Sequence, residues 1–313
     1  MNDDIPHVIP APEPGLDLPE WGAGRREELD RLLRHHGALL FRGFLIEGYD
    51  DLARFVEVTS EGWSAYREPA TPRTRVGDNI FTSTEYPADQ RIPMHNENSH
   101  CTSWPLKIYF LCTKPPGSGG QTPIVDCRRV LASLPQDVVE EFVARKWRYV
   151  RHFGTLGFKW QTVFGTSDKS EVEAYCREND MTFEWGGDGS LTVTYVRDAL
   201  RHHPVTGERI WFNHGLFFNA ISLPPETREM LLSQVREEEL PYNTFFGDGG
   251  AIPTDTLMEI QRAYEANTRQ FDWQRGDVLM LDNMLVAHGR NPFTGERRIL
   301  VGMADSVGLS ETA

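Results

Sequence analysis

Apolar residues recur at two different spacings in this sequence, and each spacing predicts one kind of element. Apolar positions three or four residues apart predict amphipathic helices. Two such helices are expected within about 25–60, and further helical insertions at about 130–180 and 225–270. Short apolar runs bounded by Gly and Pro predict strands. The expected strands are 38–44, 79–84, 106–113, 121–126, 147–153, 191–196, 278–281 and 297–303.

A short repeat adds two turns to this outline. Residues 203–209 and 291–297 both contain Pro-x-Thr-Gly-Glu-Arg. Both are interpreted as hairpin turns whose Gly takes a positive φ, each joining two strands of a mainly antiparallel sheet. Short strands on both sides of helical insertions predict a mainly β fold, a double-stranded β-helix or jelly roll. No linker-like break divides it, so residues 1–313 are expected to form a single domain.

Composition narrows the class of protein. The chain has 313 residues, of which 39% are hydrophobic and 25% charged, values typical of a soluble globular protein. Its net charge of −14 argues against nucleic acid or an anionic membrane as a partner. No long apolar run and no secretory leader are apparent, so a cytoplasmic location is expected. Without a C-x-x-C pair, the cysteines are interpreted as buried thiols rather than zinc ligands or disulfides: Cys101, Cys112, Cys127 and Cys176.

The candidate chemistry begins at the triplet His95-Asn96-Glu97. On a β-strand, positions i and i+2 lie on the same side, so His95 and Glu97 could bind one ion together. In a jelly roll, strands far apart in sequence become neighbours, and His288 could complete the set. Two His and one carboxylate leave three positions open on an octahedral iron(II), or one on a tetrahedral zinc.

Two further features favour iron over zinc. Arg297 and Arg298 lie on the strand after His288, and an Arg can bind a carboxylate through two hydrogen bonds. Thr122 can donate its hydroxyl to the same carboxylate. An oxygenase that uses 2-oxoglutarate needs such a pair to hold the far end of its cosubstrate, whereas zinc hydrolysis needs neither.

From about 39 to 304 the sequence resembles the iron(II)/2-oxoglutarate dioxygenases of the TauD/TfdA group. The shared motifs, in order, are His95-x-Glu97, 119–123 (GGQTP), 203–207 (HPxTG), Gly276-Asp277 to Asp282-Asn283, and His288 with Arg297-Arg298. The resemblance implies that His95, Glu97 and His288 bind Fe(II) and that Thr122 and Arg298 anchor 2-oxoglutarate, with O2 as the other cosubstrate. Arg297 is then expected at a solvated hairpin end.

The resemblance extends to hydroxylases found beside nonribosomal peptide synthetases, through 95–99, Trp104-Pro105 and 211–213. It implies hydroxylation of an aliphatic C–H in an amino acid or amino-acid-derived small molecule, free or held by a carrier protein, in secondary metabolism such as antibiotic biosynthesis. Glu97 argues against halogenation. The candidate substrate contacts are Asn96, Trp104, Asn213, Phe217 and Arg290.

Several alternatives stay open at this point. Within the family, the reaction could be desaturation or cyclisation rather than hydroxylation. Outside it, the same triad would suit a zinc-dependent hydrolase, and the strands and turns alone would suit a non-catalytic jelly-roll binding protein. The substrate and the oligomeric state are not specified by the sequence.

Overall fold

The computed structural model describes residues 5–64, 75–77, 79–83 and 86–312. The helices among these residues are α1 (Leu18–Gly22), α2 (Arg26–His36), α3 (Tyr49–Thr59), α4 (Cys127–Ser133), α5 (Gln136–Arg145), α6 (Trp160–Phe164), α7 (Lys169–Glu178), α8 (Gly215–Phe218), α9 (Pro225–Leu232) and α10 (Thr254–Asn267). The strands are β1 (His7–Pro10), β2 (Ala38–Arg42), β3 (Ile80–Thr82), β4 (Ile92–His95), β5 (Ser103–Lys114), β6 (Ser118–Gly119), β7 (Ile124–Asp126), β8 (Trp147–Phe153), β9 (Thr182–Trp185), β10 (Leu191–Arg197), β11 (Leu200–His202), β12 (Arg209–Trp211), β13 (Tyr242–Phe246), β14 (Val278–Asp282), β15 (Val286–Arg290), β16 (Phe293–Thr294) and β17 (Arg298–Gly308). The prediction of a mainly β chain with helical segments is confirmed at this level.

The largest sheet has six strands in the order β1-β2-β14-β5-β17-β3. Its central strands are covered on both faces, which explains why β2 and β14 are continuous apolar runs rather than alternating ones. On one face, Leu29 and Leu33 of α2 and Phe55 of α3 pack against the sheet. The other face contributes Ile108 and Phe110 of β5 to the main hydrophobic core.

A small sheet in the order β4-β15-β7 lies against this inner face. The ring of Phe110 from β5 is 5.1 Å from the ring of His288 in β15. In the small sheet β15 pairs antiparallel with β4, about 190 residues earlier in the sequence, and with β7, about 160 residues earlier. This sheet therefore provides the framework for the candidate site.

A third sheet, in the order β13-β8-β10-β9, is built by the central region of the chain. Inward residues Tyr149 of β8 and Tyr195 of β10 stack with their ring centroids 5.2 Å apart. The strands β1, β9 and β13 were not predicted. Within the helical insertion expected at about 225–270, α9 ends at Leu232 and α10 begins at Thr254.

The two repeated turns behave differently. Gly207 and Gly295 both have positive φ, 69° and 75°, as predicted. The first turn joins β11 and β12, which pair antiparallel. The second joins β16 to β17, and these strands belong to different sheets, so its interpretation as a simple hairpin was wrong.

Two smaller predictions concern the cysteines and the membrane. All four cysteines are buried and free, which confirms their interpretation as buried thiols. Within the described residues, no helix combines the length and the apolar character that crossing a bilayer requires.

Candidate metal centre

The structure brings His95, Glu97 and His288 to one point. His95 and His288 are direct register partners on β4 and β15, and their ring centroids are 4.5 Å apart. One potential ligand atom from each of the three residues lies within 4.8 Å of the others. Glu97 and His288 are only 7% and 5% exposed, and His95 is half-buried. Two imidazoles and one carboxylate on one side of a shared point form a donor set that suits iron(II).

The local geometry of Glu97 differs from the prediction. Strand β4 ends at His95, so His95 and Glu97 do not lie on one strand; Glu97 belongs to the turn that follows. Asn98, the next residue, has a left-handed φ of 54°, which reverses the chain there. The carboxylate reaches the two His because of this turn and not because of strand alternation.

Asn283, between β14 and β15, fixes this turn. Its Oδ1 accepts a hydrogen bond from the Glu97 backbone N–H at 2.8 Å. Its Nδ2 donates to the backbone oxygens of Glu97 at 2.9 Å and Pro105 at 2.8 Å. In return, the side-chain amide of Asn96 donates to the Asn283 backbone oxygen at 2.6 Å. Asn283 and Asn96 thus join the turn carrying Glu97 to the connection that leads into His288.

The orientation of His95 is also constrained. Its Nδ1 lies 2.9 Å from the carbonyl oxygen of Pro93, which can only accept, so Nδ1 carries the proton. In that tautomer Nε2 is the nitrogen that can bind a metal. The His95 ring also contacts Phe217, with centroids 4.7 Å apart, and His214 at 5.7 Å.

His214 and His100 form a buried layer behind His95. The Nδ1 of His214 lies 3.1 Å from both the backbone oxygen of Asn96 and the hydroxyl of Ser99. Burial lowers the pKa of His214 well below its usual value, and nearby His95 acts in the same direction. Burial likewise lowers the pKa of His100. Both rings are therefore neutral, as expected for residues that pack behind a metal site.

A small cavity adjoins His95 and His288, and two arginine side chains line it. Its lining includes His95, His288, Thr122, Arg290 and Arg297. Arg297 donates from Nε to the Gly120 backbone oxygen at 3.0 Å, and its two terminal nitrogens lie 3.3 Å from the Ser83 hydroxyl and 3.4 Å from the Thr122 hydroxyl.

No carboxylate pairs with Arg297 among the described residues. Burial lowers the pKa of its guanidinium to about 10, and the nearby Arg290 acts in the same direction. Trp273 Nε1 donates to the Thr122 hydroxyl oxygen at 3.1 Å, which leaves the Thr122 proton available to another acceptor. The cavity therefore presents a guanidinium and a hydroxyl to any carboxylate that enters it.

The structure places Arg297, rather than Arg298, at the cavity. Arg298 is exposed at the start of β17, opposite Lys114, whereas Arg297 faces the cavity. A register irregularity between Arg298 and Ile299 accompanies this arrangement. The close approach of the 118–120 turn to β16 then directs Arg297 toward Gly120, a contact between segments far apart in sequence.

The five candidate substrate residues separate into two groups. Asn96, Trp104 and Asn213 are buried and do not line the cavity. The Trp104 ring packs 5.0 Å from that of Phe212, and Asn213 donates to the Ala199 backbone oxygen at 2.9 Å. These three residues make packing and hydrogen-bonding contacts in the structure, and their contact with a substrate stays a prediction.

Phe217 and Arg290 do lie at the site. Phe217 contacts the His95 ring, and Arg290 lines the cavity. The Arg290 guanidinium donates to the backbone oxygens of Tyr86, Pro87 and Gln90 at 2.9, 2.5 and 2.8 Å, so it holds the segment before β4. Sequence analysis assigned no role to Asn283 or Trp273, although Asn283 was part of a motif.

Comparison with known proteins gives the family. The model of the taurine catabolism dioxygenase TauD, TfdA family matches residues 3–304. The dapdiamide synthesis protein DdaC of Enterobacter agglomerans is 38% identical over 280 residues, covering 89% of this chain and 85% of the relative. A clavaminate synthase-like protein of Arabidopsis thaliana is 33% identical over 311 residues, covering 93% and 89%.

Solved structures agree in fold. PvcB of Pseudomonas aeruginosa aligns with a TM-score of 0.57 at 16% identity, over 95% of this chain and 84% of that chain. An asparagine oxygenase bound to Fe(II), 3-hydroxyasparagine and succinate aligns with a TM-score of 0.56 at 14% identity, over 89% and 78%. With a family match over nearly its whole length, the chain belongs to the TauD/TfdA family and is an iron(II)- and 2-oxoglutarate-dependent dioxygenase.

Proposed function

We propose that this dioxygenase hydroxylates an aliphatic C–H bond of an amino acid or amino-acid-derived small molecule, free or carrier-bound, in secondary metabolism. The observation that carries the proposal is one cavity lined by His95, His288, Thr122 and Arg297, with Glu97 beside the two His. Two relatives support the substrate class by name: one acts in dapdiamide synthesis, and another is an asparagine oxygenase. Membership of this family excludes the zinc hydrolase and the non-catalytic binding protein.

In this proposal His95, Glu97 and His288 hold iron(II). When iron and 2-oxoglutarate are bound, O2 converts 2-oxoglutarate to succinate and CO2 and supplies the oxygen atom that turns R–H into R–OH. These three residues would supply three of the ligands of the iron, and 2-oxoglutarate and O2 would take the remaining positions. The burial of Glu97 and His288 limits the access of bulk water to the site, which would suppress side reactions.

Arg297 and Thr122 have the anchoring role in this proposal. Arg297 binds the carboxylate of 2-oxoglutarate that is remote from the metal, and the Thr122 hydroxyl donates to the same group. The hydrogen bond from Trp273 fixes the Thr122 oxygen, so the hydroxyl proton points to the incoming anion. Arg297 has no carboxylate partner among the described residues, and this favours a ligand that brings its own negative charge.

We assign the substrate side of the cavity to Phe217, as an apolar wall beside His95. Arg290 is proposed to hold the 86–90 segment in place and to add positive charge rather than to bind the substrate directly. We also propose that the six-stranded and three-stranded sheets form the two walls of a double-stranded β-helix, and that residues 1–313 form one catalytic domain. Desaturation and cyclisation by the same site are the alternative reactions.

The test is a screen of 2-oxoglutarate consumption, with free amino acids and their carrier-tethered forms as substrates. Succinate should form in equal amount to hydroxylated product, which mass spectrometry detects as an added oxygen atom. His95→Ala should abolish both. Succinate formed with loss of two hydrogens from the substrate would favour desaturation or cyclisation, and no coupled turnover with any amino-acid substrate would contradict the proposed substrate class.

A further inference from the structure

A second cavity, of about 550 Å³, opens on the third sheet. It shares no lining residue with the cavity at the metal centre. Four cations line it, together with the two carboxylates Asp180 and Asp198. The cations are Lys146, Arg148, Arg197 and Arg201. Four positive and two negative side chains leave a formal charge of +2, in a chain whose overall charge is −14.

One of the two carboxylates, Asp198, forms salt bridges with two of the four cations. Asp198 lies 2.9 Å from the Lys146 ammonium and 3.0 Å from the Arg201 guanidinium. Burial lowers the pKa of Arg201, and the neighbouring Arg197 acts in the same direction. The other two cations must therefore find partners elsewhere.

Arg197 and Arg148 find no carboxylate partner among the described residues. Arg197 is 5% exposed and donates only to the backbone oxygens of Val196 at 3.0 Å and Asn179 at 2.7 Å. Its Nε, and the Nε of the partly buried Arg148, are buried without an acceptor. A buried cation without a counter-ion is costly, so both positions favour an anion supplied from outside.

Both arginines line the cavity, but their side chains start from opposite faces of the sheet, because successive residues of a strand alternate. Val196 of β10 is paired with Arg148 of β8, and Arg197 is the next residue along. Guanidinium groups bind phosphate oxygens through two parallel hydrogen bonds. A phosphate monoester carries a charge of about −1.5 to −2 at pH 7, which matches the excess charge of the cavity, whereas a carboxylate brings about −1.

The size and remaining lining of the cavity indicate an organic group beyond the phosphate. A pocket of about 300–1,000 Å³ is typical for a small organic ligand. Val196 and Leu309 provide apolar contact, and Thr182 and Thr194 provide hydroxyls. We propose that this cavity binds a phosphate monoester of a small organic molecule, with Arg148 holding the phosphate, Arg197 adding positive charge from the buried side, and Val196 and Leu309 contacting the organic part.

The experiment is a calorimetric titration of the full chain with inorganic phosphate, phenyl phosphate and benzoate at pH 7.5. Saturating 2-oxoglutarate is present so that the cavity containing Arg297 is already filled. Phenyl phosphate should bind at one site, more tightly than inorganic phosphate, and benzoate should bind at least about tenfold more weakly because it carries half the charge. Benzoate binding as tightly as phenyl phosphate would overturn the assignment to phosphate.

Arg148→Gln is the decisive variant, because Arg197→Gln also removes two backbone hydrogen bonds and can disturb folding. Arg148→Gln should weaken phenyl phosphate binding at least about tenfold, and Arg148→Lys should restore part of the loss. Arg31→Gln, which removes an exposed arginine of α2, is the matched control and should bind as the unaltered protein does. No binding to the unaltered protein, or equal affinity in Arg148→Gln and Arg31→Gln, would overturn the proposal.

Discussion

At the scale of single residues, Arg297 and Arg298 form a natural matched pair. Both are adjacent arginines, but one lines the cavity and the other is exposed. Arg297→Gln should raise the KM for 2-oxoglutarate about 10- to 100-fold, because a charge-assisted hydrogen bond contributes about 1.5–3 kcal/mol. Steady-state 2-oxoglutarate consumption measures this. Arg298→Gln should leave KM within about twofold, since surface charges contribute little; a reversed pattern would restore the original assignment.

Asn283 is a positioning residue for Glu97, since it contacts the backbone of that residue and not its carboxylate. Asn283→Ala removes three hydrogen bonds around the turn. Residues that hold a metal ligand in position typically contribute 10- to 100-fold to metal affinity, so the variant should bind iron(II) about 10- to 100-fold more weakly. Anaerobic titration with iron(II) measures the affinity directly, without turnover.

Asn213→Ala is the control for this prediction. Asn213 is also a buried asparagine bonded to backbone groups, at Ala199 and Gly215, but it does not contact Glu97. The two variants should lose comparable stability, whereas iron affinity should fall in Asn283→Ala alone. An equal fall in both would mean that the effect is a general loss of packing.

At the scale of elements, the 118–120 turn matters because it supports Arg297. Gly120 has a φ of 66°, and a Cβ there would lie 2.9 Å from Cβ of Phe293 and 3.1 Å from Cδ of Arg297. Gly120→Ala should therefore reduce the free energy of unfolding by about 2–4 kcal/mol, combining left-handed strain with a steric clash. It should also raise the KM for 2-oxoglutarate, because Arg297 must move.

Gly207 provides the comparison for Gly120. Its φ is 69°, nearly the same, but a Cβ there would meet no atom within 4 Å. Gly207→Ala should cost only the backbone strain, about 1–2 kcal/mol, with an unchanged KM. Urea unfolding gives the free energies. If both variants lost the same stability and kept the same KM, the close contact at Gly120 would have no energetic role.

Elements with strong local signals were predicted well, and those without them were not. The helix α2 follows from Leu29 and Leu33 at helical spacing and from Gly37, whose φ of 78° ends it. Strands β1 and β13 carry no comparable signal, because β1 exists through its pairing with β2 and β13 through its pairing with β8. Tertiary pairing, rather than intrinsic propensity, decides such short strands.

At the scale of the whole molecule, the meeting of His95 and His288 was foreseen because a double-sheet architecture brings distant strands together. The choice between Arg297 and Arg298 was not, because it depends on a register irregularity and on the approach of the 118–120 turn. The support from Asn283 was equally hidden, since its hydrogen bonds span about 186 residues of sequence. A motif shows which residue types could act together. It does not show the strand register, which decides which side chain faces the site.

His100, which lies behind the metal site, makes the stability of the protein depend on pH. Its ring is buried among Tyr149, Tyr195 and Phe218, and burial lowers its pKa well below the usual value. On acidification the unfolded chain binds a proton at this residue before the folded chain does. The free energy of unfolding must therefore decrease as pH falls below about 6.5, by up to about 1.4 kcal/mol per pH unit, until the lower folded pKa is reached.

His100→Phe keeps an aromatic ring in these surroundings and removes the titrating group. The free energy of unfolding of the variant should depend less steeply on pH between about 6.5 and 5 than that of the unaltered protein. Carboxylates and the other histidines contribute equally to both curves, so the difference in slope reports on His100. Urea unfolding at a series of pH values gives the two slopes. Parallel curves would mean that His100 has the same pKa in the folded and the unfolded chain, contrary to the effect expected from its burial.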